Sequence, residues 1–167
     1  MIKRNRILIL LSFTLLIIVL FTNVKKDQTL IADKNSSINN GVEVKGLEKV
    51  IDLDIDNQNN EFIVLNIWAS WCIPCKSEVS ELKKISNTKG YFVVGILVED
   101  TIENGEEFIE ENNITFQNIL DPDNSELIIS QFYWSGIPTT ILLNKEFEVI
   151  QTFNGEITSD EIINFSD

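Results

Sequence analysis

The chain has 167 residues, a formal net charge of −13 from 26 acidic and 13 basic residues, two cysteines and no histidine. This acidic excess argues against binding to nucleic acid or anionic lipid surfaces, and it favours solubility and basic partners. The lack of histidine excludes histidine-based general catalysis, histidine ligation of haem and mixed Cys/His copper sites.

The first 24 residues have the pattern of a signal-type segment. Three basic residues within the first six precede a largely apolar stretch at 7–21. No small-residue cleavage site follows and no cysteine lies near its end, so we expect an uncleaved signal anchor at 1–24, N-terminus inside. The stretch is shorter than the roughly 20 residues of a usual span, and cleavage at an atypical site is the alternative. Either outcome places the rest of the chain outside the cytoplasm, where disulfides persist.

Residues 25–40 are polar and rich in Asn and Ser, which is typical of a flexible tether. We place one compact domain at 41–167, long enough to bury a core. At its start, Val42 and Val44 indicate an edge strand, and 56–60 is a predicted loop.

Both cysteines lie between a predicted strand and a predicted helix. Residues 62–68, FIVLNIW, are β-branched and aromatic, which predicts a buried strand. Residues 76–86 carry apolar side chains at helical spacing. Cys72 therefore lies near the helix N-terminus, with Pro74 in the first turn, where a missing amide costs no helical hydrogen bond.

This position favours redox chemistry at Cys72 and Cys75. The partial positive charge at a helix N-terminus favours the thiolate, which attacks disulfides through a mixed-disulfide intermediate. We expect Cys72 to attack and Cys75, one turn deeper, to resolve the intermediate. A structural staple would close too short a loop to contribute much stability, and a zinc site would need more ligands than two cysteines.

The rest of the chain predicts alternating strands and helices, followed by a hairpin. The predicted elements are a strand at 91–98, a helix at 102–113, a short strand at 116–120, a helix that starts at Asp121 and runs through Phe132, strands at 139–143 and 147–153, and a helix at 159–165. No internal repeat and no glycine-rich phosphate loop is present in the sequence.

Two stretches, LNIWASWCIPCKSE at 65–78 and GIPTTILLN at 136–144, resemble the thioredoxin superfamily. Together they are most similar to its membrane-tethered extracytoplasmic branch, the ResA-, TlpA- and DsbE/CcmG-type thiol–disulfide oxidoreductases. The resemblance runs from about Phe62 to about Gly155. It implies a thioredoxin-like α/β fold, a mixed central sheet flanked by helices, with an extra helix–strand insertion near 100–120.

The resemblance also assigns site residues. It implies a cis Ile137–Pro138 peptide beside the disulfide, with the residue before proline free to pair with a substrate strand. It implies that Glu78 assists proton transfer near the thiols, because Asn66 stands where cytoplasmic thioredoxins carry a buried aspartate. Trp71 would cover the site and contact substrate. An ordinary strand-start proline and a solvated helix carboxylate are the alternatives for Pro138 and Glu78.

The function that the resemblance implies is thiol–disulfide exchange by a membrane-anchored domain facing the periplasm or extracytoplasmic space, without a metal or other cofactor. Between the cysteines, Ile73-Pro74 lacks the histidine of strongly oxidising members, which indicates a reductant. The expected partners are an exported protein with a disulfide, such as apocytochrome c during cytochrome c maturation, and a membrane-embedded thiol electron donor. A disulfide oxidant or isomerase, a peroxiredoxin-like thiol peroxidase and a Cu(I)-binding module are the other readings.

Overall fold

The computed structural model describes residues 35–36, 38–51 and 60–166. These residues belong to one compact unit, 34–167, which contains both cysteines. The fold is built around a single sheet, and the positions of its strands determine which loops meet at the disulfide.

Several sequence-based expectations fall outside the described residues. They are the signal anchor at 1–24, the tether residues 25–34 and most of the loop at 56–60. Within the ranges that the structure does describe, no helix has both the length and the apolar character needed to cross a bilayer.

The described strands form one mixed sheet. They are β1 (Asn35–Ser36), β2 (Phe62–Trp68), β3 (Tyr91–Leu97), β4 (Gln117–Ile119), β5 (Thr139–Asn144) and β6 (Val149–Asn154). Their order across the sheet is β1-β6-β5-β2-β3-β4. The pairs β2–β3 and β3–β4 are parallel, whereas β2–β5, β5–β6 and β1–β6 are antiparallel.

Helices cover both faces of this sheet. They are α1 (Leu47–Val50), α2 (Ile73–Ser86), α3 (Ile102–Glu111), α4 (Pro122–Ile129) and α5 (Ser159–Ser166). Successive side chains of a strand point to opposite faces. Ile63, Leu65 and Ile67 of β2 accordingly pack in one core cluster with side chains of α1 and α4. Val64 packs in a second cluster with side chains of α2 and α5.

The antiparallel register of β2 with β5 places two loops side by side. The pairs run from Phe62 opposite Asn144 to Ile67 opposite Thr139. The chain that leaves β2 therefore emerges where the chain that enters β5 arrives. The loop with the cysteines and the loop with Pro138 consequently meet at this edge.

Close packing over β3 requires a glycine at position 95. A Cβ there would lie 1.9 Å from Asn118 Oδ1 and 2.6 Å from Trp68 Nε1. Those two atoms form a hydrogen bond of 3.1 Å across β3. Any larger side chain at this position would have to displace Asn118 or Trp68 from that bond.

The strands and helices expected beyond residue 60 are confirmed with small shifts in their bounds. The helix expected to reach Phe132 ends at Ile129, although Phe132 is still buried. The prediction of an edge strand at Val42 and Val44 is wrong, because this region forms only an isolated bridge between Glu43 and Glu148. Gly41 and Gly46, with φ of 80° and 81°, turn the chain on either side and keep the paired segment short.

The elements β1 and α1 have no counterpart among the sequence predictions. Strand β1 lies inside the segment assigned to a tether, and it pairs with Thr152 and Phe153 of β6. The last residues of that segment are thus part of the folded unit.

Candidate active site

Cys72 and Cys75 form a disulfide at the N-terminus of α2. Their sulfur atoms are 2.03 Å apart. Cys72 is the N-cap residue, and its Sγ accepts a hydrogen bond of 3.2 Å from the Cys75 amide. The expected strand-to-helix turn is confirmed, and the helix starts at Ile73, with Pro74 in its first turn. A thiolate on Cys72 would therefore face the amides and positive dipole end of a 14-residue helix.

The disulfide lies in an apolar environment. Cys72 and Cys75 are 4% and 2% exposed. The other buried members of their cluster are Trp68, Ala69, Val79, Leu97 and Phe108. Trp68 packs on Phe108 with ring centroids 4.8 Å apart, so its side chain belongs to the hydrophobic core beneath the disulfide.

Trp71 and Ile73 form an exposed apolar rim beside the disulfide. Their exposed fractions are 58% and 80%. The Trp71 indole Nε1 donates a hydrogen bond of 3.2 Å to the Glu99 carbonyl, which orients the ring. Exposed apolar groups next to a reactive centre are typical of contact with a polypeptide partner. Trp71 is one of the substrate-contact residues expected from the sequence, whereas Ile73 is not.

Asp100, which no sequence motif indicated, fixes the loop that precedes Cys72. Its Oδ2 accepts hydrogen bonds from the Ser70 amide at 2.8 Å and the Ser70 hydroxyl at 2.5 Å. Partial burial alone would raise the pKa of Asp100. The hydrogen bonds from Ser70, Asn104 and Thr101 outweigh that effect and hold the pKa below its ordinary value.

The loop before β5 lies next to the disulfide cluster. The Ile137–Pro138 peptide is cis, as expected. The Ile137 side chain is half-buried against the cluster that contains both cysteines. In the part of the chain that the structure describes, no hydrogen bond engages the backbone of Ile137. Its amide and carbonyl are thus available to an incoming strand.

Glu78 is buried one turn beyond Cys75 on α2. Its exposed fraction is 2%, so the alternative of a solvated helix carboxylate is wrong. Its Oε1 accepts a hydrogen bond of 2.7 Å from Asn66 Nδ2, and its Oε2 accepts one of 3.1 Å from the Ile157 amide. Asn66 Nδ2 also donates to Thr140 Oγ1 at 3.1 Å. The network connects α2, β2 and β5.

The arrangement supports thiol–disulfide exchange. The disulfide lies at a helix N-terminus, next to an exposed apolar rim and to the loop of Ile137, and the buried carboxyl of Glu78 lies one turn beyond Cys75 on the same helix. Among the described residues, no three side chains of the His, Cys, Asp and Glu types are grouped as metal ligands.

Comparison with known proteins gives a consistent result. Residues 31–166 match the model of the Redoxin family. The sporulation thiol-disulfide oxidoreductase A of Bacillus subtilis is 27% identical over 66% of this chain and 69% of its own length. The thiol-disulfide oxidoreductase ResA of Geobacillus kaustophilus is 29% identical over 60% of this chain, and the match spans only 58% of that relative.

A solved structure supports the same fold. The crystal structure of a secreted thiol-disulfide isomerase from Corynebacterium glutamicum has a TM-score of 0.56 and 31% sequence identity. The match covers 64% of this chain and 68% of that one. The expected thioredoxin-like α/β fold is confirmed.

The hydrogen bonds of Asp100 predict a pH-dependent contribution to stability. Since its folded-state pKa is lowered, the stabilisation is complete above the unfolded-state pKa and is lost as pH falls through the folded-state value. We expect Asp100→Asn to lower the free energy of unfolding by about 1 kcal/mol at pH 7, after allowance for solvent screening. Urea titrations of both proteins at pH 7, 5 and 3 should show this difference shrinking at the lowest pH. Glu106→Gln, a change at an exposed carboxyl beyond the first turn of α3, is the control, and an identical pH profile for both variants would contradict the assignment.

Proposed function

Because the chain belongs to the Redoxin family, within the thioredoxin superfamily, we propose that it is a thiol–disulfide oxidoreductase that reduces disulfides in exported proteins. The observation that carries this proposal is the closed Cys72–Cys75 disulfide at the N-terminus of α2, beside the loop of Ile137 and Pro138. The helix N-terminus would stabilise a Cys72 thiolate, and the neighbouring loop would bind the backbone of a substrate strand.

The reaction that we propose has two exchange steps. In the reduced protein the Cys72 thiolate attacks one sulfur of the substrate disulfide, whose bond breaks and releases a thiolate that takes up a proton. The Cys75 thiolate then attacks Cys72 Sγ in the mixed disulfide and releases the second substrate sulfur as a thiol. Two electrons pass from the dithiol to the substrate, and the Cys72–Cys75 disulfide closes.

Substrate docking follows from the surface around the disulfide. An extended substrate segment pairs with the free backbone of Ile137, while apolar side chains of the substrate contact Trp71 and Ile73. Main-chain pairing of this kind accepts many sequences, because the hydrogen bonds come from the backbone. This suits a reductant whose substrates share a disulfide rather than one surface.

Glu78 is the group that we propose for proton handling. It lies three residues after Cys75 on the same helix, so the two side chains share a face. Burial keeps bulk water from competing with it, and Asn66 and the Ile157 amide fix its two oxygens. The Cys75 thiol must lose its proton before it attacks. In its carboxylate form, Glu78 would accept that proton.

The proposed direction is reduction. Ile73 and Pro74 contribute no side-chain donor or charge that would stabilise a Cys72 thiolate, so the dithiol gives up its electrons more readily. The proposed substrates include the disulfide of an apocytochrome c haem-binding motif, reduced before haem attachment. Electrons would come from a membrane-embedded thiol donor, and residues 1–24 would anchor the folded unit, 34–167, on the extracytoplasmic side.

The two cysteine positions should have different phenotypes. Cys75→Ser should accumulate a covalent mixed disulfide with a substrate peptide, because nothing resolves it, whereas Cys72→Ser should form none and should lose insulin-disulfide reduction. Non-reducing gels and intact mass spectrometry measure the adduct. An adduct on Cys72→Ser alone would reverse the assignment of attacking and resolving thiols.

Replacing the buried carboxyl should slow exchange in a pH-dependent way. We expect Glu78→Gln to lower the rate of disulfide reduction roughly 10- to 100-fold, at or below the usual range for positioned acid–base groups. The matched control is Glu81→Gln on the same helix. The hydrogen bond from Lys84, with those from Ser159, lowers the pKa of Glu81 to about 2, so it stays ionised throughout. Stopped-flow rates between pH 5 and 9 compare them, and matching profiles for Glu78→Gln and wild type would reject proton handling.

The reduction potential of the Cys72–Cys75 pair tests the direction. Equilibration against dithiothreitol or glutathione should give a value near or below that of thioredoxin, about −270 mV. Apocytochrome peptides with an intact disulfide would then be the substrates to assay. A value near about −120 mV, the strongly oxidising end of the range, would instead show disulfide formation as the function.

A further inference from the structure

Asn39 holds the backbone of Tyr133, the residue at the entrance to the loop of Ile137 and Pro138. Its Nδ2 donates to the Tyr133 carbonyl at 2.7 Å, and its Oδ1 accepts from the Tyr133 amide at 2.8 Å. One side-chain amide thus satisfies both backbone groups of a residue 94 positions away. Asn39 is 3% exposed, so water does not compete for these bonds.

A second side-chain amide, that of Gln131, bonds both backbone groups of one residue in the segment 39–45. Gln131 Oε1 accepts from the Lys45 amide at 2.8 Å, and Gln131 Nε2 donates to the Lys45 carbonyl at 2.8 Å. Asn39 and Gln131 together form what we call the amide clamp. It joins the segment 39–45 to the three residues 131–133.

The clamp is fixed to the sheet independently of the loop. Asn39 Nδ2 also donates to Thr152 Oγ1 of β6 at 3.0 Å, so both N–H donors of its amide group are used. The neighbouring Gly41 amide donates to the Val149 carbonyl at 2.8 Å. Asn39 therefore connects the Tyr133 backbone to β6 through hydrogen bonds of a single side chain.

The loop itself is short and is held at both ends. At its far end the Pro138 carbonyl accepts from the Gly155 amide at 2.9 Å, and Thr139 Oγ1 donates to the Gly136 carbonyl at 2.6 Å. At its near end the Tyr133 side chain is 61% exposed, so its own packing does little to hold the backbone there. Phe132 and Trp134, on either side of Tyr133, pack in the first core cluster, and the clamp adds directional bonds to the Tyr133 backbone between them.

We propose that Asn39 is a positioning residue for substrate docking, which holds the loop so that the Ile137 backbone is presented in one conformation. The inference rests on the proposed function, because it takes Ile137 as the docking edge. A preorganised edge avoids the entropy cost of ordering the loop when substrate binds, so its loss raises KM. The cysteines on α2 make none of the clamp's bonds, so their chemistry is unchanged.

The test compares substrates that need docking with one that does not. In the full-length chain, Asn39→Ala should raise KM for a disulfide-containing peptide about tenfold, the scale expected when preorganisation is lost. The peptide kcat, the rate with the small disulfide 5,5′-dithiobis(2-nitrobenzoate) and the reduction potential should stay within about twofold of wild type. Hydrogen exchange of the amides at 134–137 should quicken.

Two further variants complete the design. Asn39→Asp keeps the acceptor for the Tyr133 amide but loses the donors to the Tyr133 carbonyl and Thr152, and it sets a buried carboxylate against that carbonyl, so its KM should rise at least as much as that of Asn39→Ala. Asn87→Ala is the matched control, because it also removes a side-chain amide. Asn87 lies at the C-terminal end of α2, and its side chain donates only to the Lys83 carbonyl. Its KM for the peptide should equal that of wild type.

Each result has a defined meaning. An unchanged KM, or peptide and small-disulfide rates that fall together, would overturn the positioning role. A wild-type chain that fails to react with either disulfide would instead overturn the proposed function. If Asn39→Ala does not fold, Gln131→Ala removes the more exposed half of the clamp and should give a smaller rise in KM with the same selectivity for the peptide, because Asn39 still holds Tyr133.

Discussion

The structure depends on the antiparallel pairing of β2 with β5. Strand β2 is the buried centre of the sheet, and its pairing ends with Ile67 opposite Thr139. Beyond that pair the two chains separate into the loops that carry Cys72 and Pro138. A one-residue slip would move every side chain of β2 to the other face, so the buried apolar run also fixes which loop residues meet.

A polar network inside this apolar layer adds a second constraint. Asn66 of β2 bonds both Glu78 of α2 and Thr140 of β5. A buried carboxylate is costly unless donors satisfy it, and here Asn66 and the Ile157 amide do so. The helix that begins at the cysteines is thus held to the strand that follows Pro138 by directional bonds as well as by packing.

The sequence predicted what depends on local patterns, and it missed what depends on distant partners. The apolar run at 62–68 and the position of Cys72 before a helix follow from periodicity and turn chemistry, and the cis peptide at Pro138 followed from the resemblance. Burial of Glu78 could not be predicted, because its covering partner, Ile157, is 79 residues away. Asn39 lies in a polar stretch that is typical of a tether, yet it bonds Tyr133 and Thr152. Strand β1 has two residues, too few to show alternation.

The bond between Glu78 and the Ile157 amide also bears on the order in which the molecule is assembled. Because synthesis runs from the N-terminus, Cys72, Cys75 and Glu78 are made before Ile157, which follows 79 residues after Glu78. Until that amide arrives, the carboxylate lacks one of its native donors and remains open to water. The hydrogen-bonded surroundings of Glu78, one turn beyond Cys75, are therefore complete only after this late segment of the chain has folded against the cysteine helix.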